Sequence, residues 1–148
     1  MDIKQLRLSQ VERAVKQASV PPRPSIGWIQ TIRTALGMTT RQLAARMGVT
    51  QSTLAALEKS EAADAITLHS LWRAADAMDC DLQYVLVPRN SLKKRVENQA
   101  EAIARQRVSR VFHTMRLEDQ APTEKVDKKE ISKVQASLLA TNWKHLWE

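Results

Sequence analysis

The order of apolar and polar residues along the chain predicts a succession of helices. In residues 2–18, Ile3, Leu6, Val11, Val15 and Ala18 fall roughly on one side of a helix. Val20-Pro21-Pro22-Arg23-Pro24-Ser25 must then run extended, because proline lacks the amide a helix needs and biases its predecessor away from helix. It reads as a stiff connector between an N-terminal arm and a body. Ser25 is placed to cap a first body helix carrying Trp28, Ile29, Ile32 and Leu36, which ends at Gly37. Thr39 caps a second helix with Leu43, Ala44 and Met47 inward, and Gly48 supplies a left-handed turn. Thr50 caps a third with Leu54 and Leu57 inward, and Thr67 a fourth with Leu68, Leu71, Ala75 and Met78 at helical spacing. Leu82, Val85 and Leu86 suggest a fifth, stopped by Pro88.

A longer helix is expected from Asn90 or Ser91, with Leu92, Val96, Ala100, Ile103, Val108, Val111 and Met115 at steps of three to five residues. Ala121-Pro122 ends it, and a charged stretch from Glu124 to Glu130 leads into a last helix with Ile131, Val134 and Leu138. Trp143 and Trp147 stand at the end, where chains normally fray, so both rings are expected to dock onto a partner. The organisation expected is an arm and linker at 1–25, a five-helix body at 26–89 and a helical extension at 90–148, around one core.

Composition agrees with an all-α class. There are 3 Gly, 1 Tyr and 1 Phe in 148 residues, and the apolar alternation of a sheet is missing. No long apolar run or leader-like N-terminus is present, so neither a membrane span nor a secretory signal is expected. The single cysteine, Cys80, forms no intrachain disulfide, and a reducing, cytoplasmic setting is the default. His69, His113 and His145 are scattered, which gives no metal-ligand spacing. With no phosphate loop or nucleophile elbow either, no metal, no cofactor and no enzymatic activity are expected.

Charge changes the picture more than composition. The net charge is +7, and its placement is uneven. From Arg13 to Leu57 there is no Asp or Glu, whereas Arg13, Lys16, Arg23, Arg33, Arg41 and Arg46 are all basic. A stretch cleared of carboxylates is suited to an anionic partner.

Within that stretch, the residues from Thr39 to Glu58 resemble the helix-turn-helix of phage-repressor-like, XRE-type regulators. Ala44 is small where two helices cross, Gly48 makes the turn, and Val49, Leu54 and Leu57 lock the second helix of the motif over the first. Glu58 stands where the family has a structural Glu tying this helix to what precedes it. Ser60 departs from the Gly of many relatives, so the helix end there is expected to differ. The resemblance implies that the helix from Thr50 enters the major groove of double-stranded DNA. Gln51 is then the leading base reader, its amide matching adenine N6 and N7. Ser52 and Ala56 share that face, Thr40, Thr53, Arg41, Arg46 and Lys59 are candidates for phosphate contacts, and Thr50 is counted with them among the DNA-binding residues.

A wider resemblance rests on Gly27-Trp28-Ile29, Leu57-Glu58-Lys59, Leu86-Val87-Pro88, His113-Thr114-Met115, Leu117-Glu118-Asp119-Gln120 and Leu146-Trp147-Glu148. Together these are similar to the mobile mystery protein A family, whose members are encoded beside a Fic-domain protein. That implies an antitoxin that neutralises a Fic toxin and represses its own operon. The stretch Thr114 to Asp119 matches the Fic-inhibitory pattern Ser/Thr-x-x-x-Glu-Gly/Asn except at Asp119, with Thr114 and Glu118 on one helical face. An ordinary helix end explains the same residues. A homodimer on an inverted repeat is expected, since one helix in one groove gives little affinity. Either the N-terminal arm or the helix from Ser91 would join the copies. The alternative is a stand-alone repressor whose C-terminal region only dimerises.

Overall fold

The computed structural model describes residues 2–118 and 128–148. It is all-helical among those residues: α1 (Ile3–Gln17), α2 (Trp28–Ala35), α3 (Thr40–Met47), α4 (Gln51–Ala62), α5 (Leu68–Ala77), α6 (Leu92–Leu117), α7 (Lys128–Ala140) and a closing 3-10 turn, Trp143–Trp147. The breaks expected at Ala121-Pro122 and the start of the charged stretch, Glu124 to Asp127, lie outside the described residues, as does Asp119.

The chain divides into two units, each with its own core. One is Ala18–Val85; the other is made from both ends, Met1–Gln17 and Leu86–Glu148. The expected single core is therefore two, and the expected N-terminal arm is a packed part of the second unit.

In the central unit Ile29, Leu43, Ala44, Met47, Leu54, Ala74 and Met78 are buried together. Local signals place its helices. Thr39 accepts from the Gln42 amide while the Gln42 side chain accepts from the Thr39 amide, a reciprocal cap at the start of α3. Thr50 caps α4 by accepting from Thr53 N, and Thr67 caps α5 by accepting from Ser70 N. Gly48 closes α3 at φ 68, a left-handed conformation that a side chain would strain. Ala44 is 2% exposed at the heart of this packing, where a larger side chain would force the helices apart.

Two expectations fail here. Ser25 does not cap α2; the N-cap is Gly27, with no side-chain cap of its own. The fifth helix does not form, and Leu82, Val85 and Leu86 lie in irregular chain. Asp79, at φ 57, turns the backbone left-handed after α5, and Pro88 leaves too short a run to nucleate a helix.

In the terminal unit α6 and α7 pack side by side, and the 3-10 turn folds back onto them. Val96, Ala100, Ala104 and Val108 of α6 meet Ile131 and Leu138 of α7 and Leu146 of the turn. Ser91 caps α6 by accepting from Lys94 N. α1 joins this core through half-buried Leu8; of the expected stripe Ile3, Leu6 and Val11 are exposed and Val15 is half-buried, so its inward side matches the spacing only in part. Glu12 of α1 also reaches the start of α6, where it accepts from Ser91 Oγ at 2.8 Å and Lys93 N at 3.3 Å. The Ser91 hydroxyl, opposed by partial desolvation and helped by the Lys93 amide, holds the Glu12 carboxyl below its ordinary pKa.

Candidate nucleic-acid interface

The helices α3 and α4 form the helix-turn-helix, and two buried carboxylates on α4 fix its place. Glu58 pairs with Arg33 of α2, Nε to Oε1 at 2.6 Å and Nη2 to Oε2 at 3.2 Å. Arg33 is 8% exposed and spends its remaining reach on the Met38 carbonyl. Glu58 thus ties α4 to the preceding helix. Arg33, counted in the sequence as part of a surface presented to an anion, is instead internal. Arg23 is likewise engaged, with Asp64 at 2.6 Å.

The second carboxylate, Glu61, is 2% exposed and was not singled out in the sequence. It accepts from the Trp28 amide at 2.6 Å and the Ile29 amide at 3.0 Å, so it caps α2 in place of a local side chain. α4 runs through Ser60 to Ala62 and turns at Asp64, φ 58, with Ala65 N donating to Ser60 O. Gly27 is required opposite: its φ is 89, and a Cβ would stand 2.7 Å from the Glu61 carboxyl. Arg73 of α5, also not foreseen, donates to the Met47 carbonyl at 2.9 Å and fastens the end of α3.

On the frame so fixed, the outer face carries the candidate contacts. Gln51, Ser52, Ala56 and Lys59 are exposed on α4. The Gln51 amide donates to Thr40 Oγ1, 2.8 Å away at the first residue of α3. Thr50 Oγ1 lies 2.7 Å from Thr53 Oγ1 and 3.1 Å from Ser52 Oγ. The first turns of both helices therefore share one polar surface: Thr40 and Gln51, Thr50 with Ser52 and Thr53. Arg41 and Arg46 are exposed in the first and last turns of α3, and neither they nor Lys59 pair with a carboxylate among the described residues. Three cations unpaired with carboxylates thus stand on the two helices that carry this polar surface, and residues 39–57 hold no Asp or Glu, which suits an anionic partner.

The other residues singled out in the sequence belong to the terminal unit. Trp143 is not a free docking ring. Its Nε1 donates to the Leu139 carbonyl at 2.9 Å, its ring packs on the core, and Lys4 of α1 lies 5.5 Å over it. Trp147 is 51% exposed, with Arg95 5.8 Å from its ring. Thr114 and Glu118 are exposed at the end of α6; Thr114 Oγ1 donates to Arg110 O, and Glu118 is the C-cap. Among the described residues no group of three His, Cys, Asp or Glu could hold a metal ion, and no helix is long and apolar enough to cross a membrane.

Residues 29–85 match the family model described as helix-turn-helix. That segment, under half of the chain, is similar to the helix-turn-helix domains of that family. The match leaves α1, α6, α7 and the 3-10 turn outside it. Neither the curated proteins nor the solved structures yielded a match to the chain.

Proposed function

We propose that this chain is a sequence-specific repressor that also holds a protein partner: an antitoxin that neutralises a Fic-domain toxin and represses the operon encoding both. The observation that carries the DNA half is the Gln51 amide, exposed at the start of α4 and oriented by Thr40. One of its N–H groups serves Thr40; the other, with the side-chain oxygen, remains for adenine N6 and N7. Ser52 and Ala56 complete the reading face, and Thr40, Thr53, Arg41, Arg46 and Lys59 contact phosphates. Thr50 acts as the cap that starts the reading helix. The chain binds as a homodimer on an inverted repeat.

Support for the antitoxin half is the resemblance to the mobile mystery protein A family, together with a terminal unit that has its own core and lies outside the DNA-binding domain. Within that unit Glu118 is the candidate Fic-inhibitory glutamate, with Thr114 on the preceding turn, and Trp147 is the tryptophan left available to a partner. Co-expression with a Fic protein encoded beside it tests this reading. Rescue of growth and co-purification are expected; a Fic toxin unaffected by the chain contradicts it. Glu118→Gly tests the inhibitory residue, and silencing undiminished in that variant removes Glu118 from the account.

A further inference from the structure

Among the described residues, the apolar stripe of α6 outruns its cover. Val96, Ala100, Ala104 and Val108 are buried in the terminal core, but one turn further Val111 is 57% exposed and Met115 38% exposed. These two, with Phe112 and Val134 of α7, line a groove of about 610 Å³ between α6 and α7. Val111 and Met115 are four residues apart and stand one above the other on α6. Such a row at helical spacing is what a docked helix uses as its seat.

The charge around the groove says what would fill it. Of the charged residues that line it, Lys133 and Glu130 hold each other at 3.2 Å, which leaves Arg107 as the unmatched charge. Elsewhere on α6, Arg110 and Arg116 add positive charge, while Arg105 is taken by Glu101. A second copy of this groove would set like charge against like, whereas an acidic partner is complementary. A phosphate backbone would meet the arginines but leave the apolar floor uncovered.

We propose that the α6/α7 groove docks an acidic amphipathic helix of a partner protein, its apolar side chains on Val111, Phe112 and Met115 and its carboxylates toward Arg107. This rests on the reading that the chain holds a protein as well as DNA, and it assigns that task a surface.

The test uses the full chain and a fluorescein-labelled synthetic helix with leucines on one face and glutamates on the other. Controls are a scrambled peptide of the same composition and a version with lysine for glutamate. Fluorescence anisotropy should rise with the acidic amphipathic peptide alone. Met115→Asp and Arg107→Glu should each weaken binding by about tenfold or more. Both residues lie on the surface, so circular dichroism and binding to a DNA duplex should be unchanged in the variants. Equal binding of the scrambled peptide, or undiminished binding by both variants, overturns the proposal. So does a loss of DNA binding in both variants, which would make the groove a nucleic-acid surface. Conversion of a dimer to monomers by Met115→Asp, seen in sedimentation without any peptide binding, overturns it in favour of a second copy. Peptide failure alongside intact capture of a Fic partner would refute the groove and leave the functional reading standing.

Discussion

Gln51 and Thr40 are joined by a hydrogen bond of 2.8 Å that links the first turn of α4 to the first turn of α3. The long polar side chain proposed to read a base is therefore held in one direction in the free protein. Less side-chain entropy then remains to be lost on binding.

Replacing Gln51 by Ala should remove discrimination at one base position, worth about 1–3 kcal/mol, while leaving non-specific affinity almost unchanged. Thr40→Val should keep the base preference but soften it, because Gln51 then lacks its anchor. Competition binding against a set of single-base operator variants measures both.

Arg41, Arg46 and Lys59 should act on affinity and not on sequence preference. Substituting any one of them by Ala should lower the slope of log K against log salt by about 0.9, the share of a single neutralised phosphate. Arg33→Ala gives a useful contrast. Its guanidinium is buried against Glu58, so its effect should appear in stability and not in the salt slope of the folded protein.

The pair itself should be costly to break. Arg33→Met leaves Glu58 with no partner in a nearly dry position, and about 3–5 kcal/mol of stability should be lost in urea unfolding. Replacing both with apolar residues of similar volume should recover much of that loss.

Glu61 should matter almost as much, through the backbone. Glu61→Ala strands the Trp28 and Ile29 amides at the start of α2 and should cost about 2–3 kcal/mol. Gly27→Ala should also destabilise the unit, since the new Cβ meets the Glu61 carboxyl on a backbone at positive φ. Chemical denaturation of the two single variants and the double variant measures the coupling between them.

Acid should loosen the start of α6. The Glu12 carboxyl is held below its ordinary pKa chiefly by the Ser91 hydroxyl. A depressed carboxylate contributes stability that is present above its unfolded pKa and lost as pH falls through the folded one. The protection of the Lys93 and Lys94 amides, taken relative to intrinsic exchange at each pH, should therefore fall at acidic pH, and Glu12→Gln should remove that dependence.

What was legible in the sequence was local. Thr39, Thr50, Thr67 and Ser91 cap the helices expected of them, because a cap acts within three residues of itself. Ala44, Gly48 and Glu58 fall where a helix-turn-helix needs a small residue, a turn and a tie. What was not legible joins distant residues. Glu61 caps a helix that begins 33 residues earlier, and Arg73 reaches back 26 residues to Met47. Leu8, not the stripe from Ile3 to Val11, faces the core, because helical spacing shows that a face exists and not which partner it meets. Trp143 looked like a free ring because part of its cover, Lys4 of α1, comes from the far end of the chain.

If the face around Gln51 reads a sequence, the chain selects its own sites. Selection of binding sites from a pool of random duplexes, run with the natural chain and with Gln51→Ala, tests it most directly. Enrichment of an inverted repeat with half-sites about 10 base pairs apart is expected, with loss of preference at one symmetric position in the variant. No enriched sequence, or an identical one from the Gln51→Ala chain, would contradict it.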